Sequence, residues 1–185
     1  VRLMTYQLQL FETMKRNEAD VVYTINPVAA DIVSFFQPTG KILEPCSGAG
    51  AFLRYLPDTT VCCEIEAGKD FFAYSEKVDW IVSNPPYSGF FDWIYHSMEI
   101  AENIVYLLPA NKPFISNKLI MLLRNWGEIS HMRFYGPGKR IGFNVGFAIA
   151  AFYFKKGNFG GCTFSYWGGP NQQLHADRKS RPDLP

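Results

Sequence analysis

Val78-Asp79-Trp80-Ile81-Val82-Ser83-Asn84-Pro85-Pro86-Tyr87 is the stretch from which the rest of the chain is read. The apolar run through Ile81 and Val82 predicts a buried strand, and it stops where Pro85 and Pro86 forbid further ladder hydrogen bonding. Proline after Asn84 steers that residue out of the helical region toward an extended one, and Pro86 restricts Pro85 in the same way. The Asn84 amide oxygen and the Pro85 carbonyl become two fixed acceptors at the carboxyl end of a strand. Such a pair can hold both hydrogens of a planar exocyclic amine and leave its lone pair facing an electrophile. The ring of Tyr87 is then available to stack on the amine's own ring. A rigid Pro-Pro turn would explain the same residues without any chemistry, so the neighbouring stretches have to decide.

Lys41-Ile42-Leu43-Glu44-Pro45-Cys46-Ser47-Gly48-Ala49-Gly50-Ala51-Phe52-Leu53 predicts a short strand, a turn holding Gly48 and Gly50, and a helix from about Ala51. Glycines at a strand-to-helix turn let a backbone approach a ligand, and in an open α/β sheet the carboxyl ends of the strands line the binding crevice. The full GxGxxG fingerprint is absent, because the third residue after Gly50 is Leu53. Glu44 suits the cationic end of a ligand better than a pyrophosphate, which favours S-adenosylmethionine, with its ammonium and sulfonium groups, over NAD. Thr60 to Ile65 reads as the next strand. Its Glu64 carboxylate can accept both hydrogen bonds of a ribose diol, with Glu66 as the rival on the same side of an alternating strand. Asp70 beside Phe71 can bond an adenine amine and cover its face; for Phe71 and Phe72 ordinary core packing is the alternative. Tyr23-Thr24-Ile25-Asn26-Pro27 precedes a helix with the apolar stripe Val28, Ile32, Val33, Phe35 and Phe36. Thr24 or Asn26 is expected to cap it, Pro27 suits its first turn, and Pro38-Thr39-Gly40 ends it.

Taken in order, these stretches resemble the amino-group methyltransferases, in particular the N6-adenine DNA methyltransferases, over roughly residues 20 to 155. Glu44 to Phe52 is similar to that family's motif I and Asn84-Pro85-Pro86-Tyr87 to its motif IV. The resemblance implies an α/β fold: a Rossmann-like class I methyltransferase sheet, mostly parallel, closed by a C-terminal antiparallel hairpin. It also implies that the glycine loop, with Glu44, Pro45, Gly48, Gly50 and Phe52, holds S-adenosylmethionine. Tyr23, Thr24 and Pro27 correspond to motif X, which in the gamma-type order precedes motif I and contacts the methionine part of the cofactor. Glu64 matches the ribose-binding acid of motif II, and Asp70-Phe71 the adenine-binding motif III. Asn84, Pro85, Pro86 and Tyr87 would hold the target amine, with Asn84 also among the cofactor-binding residues, and the implied activity is methylation of adenine N6 in DNA.

Two departures stand out. Only Ile65 to Lys77 separate the ribose acid from the strand before Asn84, too few for the usual crossover of a dozen or more residues plus a strand. One helix and strand should therefore be missing between residues 65 and 77. The chain also has no room for a large target-recognition domain, which leaves a homo-oligomer or a separate specificity partner as expected associations. The alternatives are RNA adenine or guanine amino-methylation, methylation of a protein glutamine, and a non-catalytic S-adenosylmethionine-binding subunit. The glutamine enzymes carry an N-terminal helical domain that residues 1 to 22 are too short to supply.

Downstream, Phe90 to Ala101 reads as a helix, Ile104 to Leu108 as a buried strand, and Ser116 to Asn125 as a helix. Ile129 to Tyr135 and Phe147 to Phe154 alternate as strands. The loop between them, Gly136 to Val145, sits at the family's motif VIII position. There Phe143 is implied to stack on an extruded base, with packing under the loop as the alternative; Lys139 and Arg140 would meet phosphates or form a solvated turn. Residues 157 to 170 are expected to add an edge hairpin, residues 3 to 16 a short helix, and residues 171 to 185 a flexible polar tail after a single catalytic domain spanning 1 to 170.

The composition is consistent with this reading. A chain of 185 residues with 48% hydrophobic content can bury a sizeable core. The net charge of +1 is unevenly spread. Acids outnumber bases nine to two from Asp58 to Glu102, and bases outnumber acids six to one from Lys112 to Arg140. One half thus suits a polyanion. No apolar run approaches the roughly 20 residues of a membrane span, and no signal-peptide core opens the sequence, so a cytoplasmic protein without membrane partners is expected. Cys46, Cys62, Cys63 and Cys162 lack CxxC spacing; reduced packing residues and no metal are expected.

Overall fold

The computed structural model describes residues 22–157 and 160–169. The expected helix at residues 3 to 16 and the polar tail from residue 171 lie outside them. The elements are, in order, α1 (Asn26–Phe36), β1 (Ile42–Glu44), β2 (Val61–Cys62), β3 (Val78–Ser83), α2 (Phe90–Ile100), β4 (Ala101–Pro109), α3 (Asn117–Trp126), β5 (Gly127–Pro137), β6 (Ala148–Lys156) and β7 (Thr163–Tyr166). They form one seven-stranded sheet in the order β2-β1-β3-β4-β6-β5-β7. The four strands from β2 to β4 run parallel. β6 is antiparallel to both β4 and β5, which gives the expected hairpin.

Strand alternation divides the core between the two faces of this sheet. Ile104, Tyr106 and Leu108 of β4 face one side, with Phe90, Trp93 and Ile94 of α2 and Leu119 and Leu123 of α3. Val105 and Leu107 face the other, with Val28, Ala29 and Ile32 of α1. A parallel sheet covered on both faces must be apolar on both, which is why β4 reads as a nearly continuous hydrophobic run.

Several local expectations need correction. The helix expected from Ala51 is only a pair of turns, in which Arg54 N–H donates to Gly50 O at 3.3 Å and Leu56 N–H to Phe52 O at 3.0 Å. Pro57 then bars continuation, because it lacks an N–H and disfavours helical geometry at Leu56. The strand expected over Thr60 to Ile65 is reduced to Val61–Cys62. It is the edge of the sheet, and residues 65 to 77 hold only the 3₁₀ turns Ile65–Ala67 and Phe71–Ala73. The missing helix and strand are therefore missing as expected, and β2 loses the outer neighbour that would have extended it.

The α1 N-cap is Ile25, with no side-chain cap from Thr24 or Asn26, although Pro27 does occupy the first turn. In place of the edge hairpin expected over residues 157 to 170, the described residues there form the single strand β7, and the edges of β6 are already held by β4 and β5. The chain crosses β5 instead and pairs parallel to its free edge. No helix among the described residues is long and apolar enough to cross a membrane.

Candidate functional site

A cleft of about 280 Å³ opens where β1 and β3 end. Tyr23 and Thr24 line it from the segment before α1, Glu44 and Cys46 to Ala49 from the end of β1, and Phe52 from the turns that follow. Glu64 and Glu66 reach it from beyond β2, and Asn84, Pro85 and Pro86 from beyond β3. Pro27, Pro45 and Gly50 do not line it. They shape what does: Pro27 starts α1, and Gly50 N–H closes a tight turn onto Ser47 O at 2.7 Å.

The glycine loop is held by the neighbouring strand. Ser47 N–H donates to Cys63 O at 3.0 Å, and Gly48 N–H donates to Glu64 Oε2 at 2.6 Å. Gly48 has φ +48°, and a Cβ there would lie 3.7 Å from the Tyr23 ring. The left-handed backbone is what excludes other residues, with the ring close behind it. The rivals Glu64 and Glu66 both reach the cleft, and Glu64 also clamps the loop.

Glu44 is the least exposed acid of the site, at 1%, and its Oε2 has no hydrogen-bond partner. Burial, reinforced by the charge of Glu64 and only partly offset by the Leu53 amide, pushes its carboxyl up to about 9. It therefore carries a proton at neutral pH, and a cation entering the cleft would favour its ionised form. A buried acid with an unused oxygen, beside two further carboxylates, fits a ligand that brings positive charge.

The Asn84 side-chain amide is oriented by chemistry. Its Nδ2 donates to Val22 O at 2.7 Å, and because a carbonyl only accepts, Oδ1 must point the other way. That Oδ1 is buried and has no partner. Buried amide oxygens are nearly always satisfied, so an orphan beside a cleft marks a place where a donor is meant to arrive.

Other site expectations are placed elsewhere by packing. Instead of covering an adenine, Phe71 is 3% exposed and stacks on Trp93 with centroids 4.8 Å apart. Asp70 caps the same 3₁₀ turn, its Oδ1 accepting from Phe72 N–H at 3.0 Å. The adenine wall they were expected to form is therefore absent from the cleft. Tyr87 is only 8% exposed, so its ring is mostly covered by the first core cluster.

Phe143, expected to stack on an extruded base, is 4% exposed and belongs to the second cluster, beneath the loop. The aromatic of that loop that meets Tyr87 is Phe147, 42% exposed, edge-on with centroids 5.9 Å apart. Phe147, expected as the first residue of a strand, lies one residue before β6 begins at Ala148. The signal against that is Gly146 just before it, where regular pairing has not yet begun. Lys139 and Arg140 are exposed on the 3₁₀ turn Gly138–Ile141, tied to Phe147 by Gly138 N–H donating to its carbonyl at 2.9 Å.

A polar network absent from the sequence reading fixes α1 against the antiparallel end of the sheet. Asp31 accepts from Arg133 Nε at 2.6 Å, from a second Arg133 nitrogen at 2.8 Å, and from Tyr135 Oη at 2.6 Å. The Asp31 contact raises the Arg133 guanidinium, and burial together with the same carboxylate raises the Tyr135 phenol. Because Tyr23 and Thr24 run directly into α1, the network also sets their side of the cleft.

No family model and no curated protein sequence matches this chain. Solved structures do. A Vibrio vulnificus protein described as the modification subunit of a type I restriction enzyme is similar at 15% identity and a TM-score of 0.56, covering 92% of this chain and 52% of its own. The M protein of the type I restriction enzyme EcoKI is similar at 13% identity and a TM-score of 0.57, covering 73% and 44%. A Listeria monocytogenes protein described as a class I S-adenosylmethionine-dependent methyltransferase gives 15% identity and a TM-score of 0.55, covering 87% and 71%. The fold is that of the class I methyltransferases. The chain spans about half the length of the two type I subunits.

Proposed function

We propose that the chain is an S-adenosylmethionine-dependent methyltransferase acting on the exocyclic N6 amine of adenine in DNA. The observation that carries this reading is the buried, unpartnered Oδ1 of Asn84 at the lip of a cleft whose other wall holds Glu44, with its own unpartnered Oε2. Glu44 and Glu64 would hold the cationic and ribose parts of the cofactor, and Tyr23, Thr24 and the Gly48 loop would enclose them. When bound, the cofactor supplies an electrophilic methyl group whose bond to sulfur breaks as the bond to nitrogen forms.

The chain's own part is positional. Asn84 Oδ1 and the Pro85 carbonyl accept both amine hydrogens, which favours the pyramidal nitrogen that attack requires. Pro85 and Pro86 keep those acceptors from relaxing, and the proton lost from the methylated amine passes to water. Most of the acceleration then comes from alignment rather than from a strong base. The excess of bases from Lys112 to Arg140 and the likeness to restriction-enzyme modification subunits support a nucleic-acid substrate, and DNA before RNA.

The test is incubation with methyl-labelled S-adenosylmethionine and DNA, RNA or total protein, followed by hydrolysis and nucleoside or amino-acid analysis. Label in N6-methyladenine from DNA is expected. Label in RNA nucleosides or in glutamine would replace this reading with one of the alternatives, and label in none of them would favour a non-catalytic subunit.

A further inference from the structure

Two segments meet at the carboxyl end of the sheet beside Tyr87. One follows β4 and the other precedes β6, and Ala110 N–H donates to Ala148 O at 2.9 Å where they join. The first carries Phe114 and Ile115, 49% and 57% exposed; the second carries Phe147, 42% exposed. Phe114 is anchored on one side, its ring centroid 6.1 Å from that of Phe152, and nearly half of it remains open to solvent. Phe147 has its edge contact with Tyr87 and is otherwise similarly open.

The two segments themselves carry charge of one sign, with the acid Asp92 on the neighbouring helix α2 beside Phe91, on whose ring Lys118 rests. Residues 110 to 126 and 136 to 147 contain no Asp or Glu and carry Lys112, Lys118, Arg124, Lys139 and Arg140. The acid-rich stretch from Asp58 to Glu102 belongs largely to the other half of the sheet.

Exposed aromatic rings on segments that carry cations and no acids match the chemistry of unpaired bases on a phosphate backbone, because stacking needs open base faces and a duplex covers them. We infer that Phe114 and Phe147 form a stacking platform for unpaired bases flanking the target, so that the preferred substrate is single-stranded or looped nucleic acid rather than intact duplex. This rests on the methyl-transfer reading only in taking Tyr87 and Asn84 as the place where the target base arrives. A strand that arrives unpaired also escapes the cost of extruding a base from a helix.

Fluorescence anisotropy with one labelled adenine-containing sequence, presented as single-stranded DNA, single-stranded RNA and duplex DNA at fixed salt, tests it. At least one single-stranded form should bind ten-fold or more tighter than duplex, and the two single-stranded arms tell DNA from RNA. Phe114→Ala should weaken single-strand binding by about 5- to 100-fold and duplex binding by less than two-fold. Phe114→Leu keeps apolar contact with Phe152 and should show the same selective loss at an unchanged Tm, which separates stacking from misfolding.

Equal affinity for single strand and duplex, or single-strand binding unaltered in both Phe114 variants, overturns the proposal. So does self-association in sedimentation with no oligonucleotide bound, which would make this face an interface between copies. Calorimetry with S-adenosylmethionine keeps the two readings apart. Cofactor binding without single-strand preference fails the platform alone, and single-strand binding without cofactor binding fails the methyl-transfer reading alone.

Discussion

Asn84 is tethered through its Nδ2 to the backbone carbonyl of Val22, 62 residues earlier in the chain. The bond joins the end of β3 to the segment entering α1, and it leaves Oδ1 as the one polar atom of that side chain without a partner. Asn84→Ala should therefore do two separable things. Loss of the tether should cost about 1 kcal/mol of stability, read as a lower Tm. Loss of Oδ1 should cut methylation by orders of magnitude while cofactor affinity changes little, because the oxygen acts on the amine and matters most at the transition state. A variant that keeps more than about a tenth of wild-type turnover, under roughly 1.4 kcal/mol of barrier, would remove Asn84 from the reaction.

On the proposed reading Glu64 has a second duty, holding the glycine loop, that the sequence did not reveal. Its carboxylate already accepts the Gly48 N–H at 2.6 Å, so Glu64→Ala should both lose the ribose contacts and release the glycine loop. Glu64→Gln separates the two effects. Its amide oxygen can still accept from Gly48, while the charge that strengthens hydrogen bonds to a diol is gone. Calorimetry should show an intermediate loss of S-adenosylmethionine affinity for Gln and a larger one for Ala. Equal and small losses would shift the ribose role to Glu66, the other acid at the cleft.

The contrast between these residues shows what a sequence can carry. The strand before Asn84, the glycine turn and the hairpin were legible because each has a local signature: apolar runs, positive-φ residues, and alternation between turns. Even the missing strand was legible, as a shortage of residues between Ile65 and Lys77. The bond from Asn84 to a backbone oxygen in the N-terminal segment has no side-chain signature. Phe71 and Phe143 are ambiguous in the sequence for a related reason. An aromatic beside a motif has the same spelling whether it packs under a loop or over it, and only the fold shows that both are drawn into the core while Phe147 stays at the surface.

The Asp31–Arg133 pair links α1 to β5 across 102 residues with two-point geometry, and both side chains are mostly buried, Asp31 at 18% and Arg133 at 11% exposure. Arg133→Ala leaves the Asp31 carboxylate facing Tyr135 alone, and removing one partner of a buried pair costs on the order of 3 kcal/mol. Arg133→Lys should recover only part of that, because an ammonium cannot make the paired contact of a guanidinium. Denaturant unfolding should rank wild type, Lys and Ala in that order. Since α1 also carries the Tyr23–Thr24 wall, cofactor affinity should fall in the same order. A destabilised variant that binds the cofactor normally would uncouple the helix from the cleft.

Glu44 makes ligand binding and stability depend on pH in opposite senses. Its carboxyl is raised from 4.5 to about 9, first by burial and then by Glu64. With the cleft empty, the folded protein holds a proton that the unfolded chain releases above about 4.5. The stability from this group is therefore complete below that pH and is lost as pH rises through about 9. A cationic ligand reverses the preference. Its charge favours the carboxylate, so S-adenosylmethionine must displace the proton as it binds, and affinity should climb with pH from 6 toward 9, by up to ten-fold per unit. Glu44→Gln abolishes the titration. It should bind the cofactor more weakly, with a nearly flat profile over that range, while losing less stability at high pH than wild type does. Calorimetry in buffers of different ionisation enthalpy counts the proton directly. Release of close to one proton per ligand at pH 7.5 in wild type and none in Glu44→Gln is expected, and release of one proton by both would place the coupled group elsewhere.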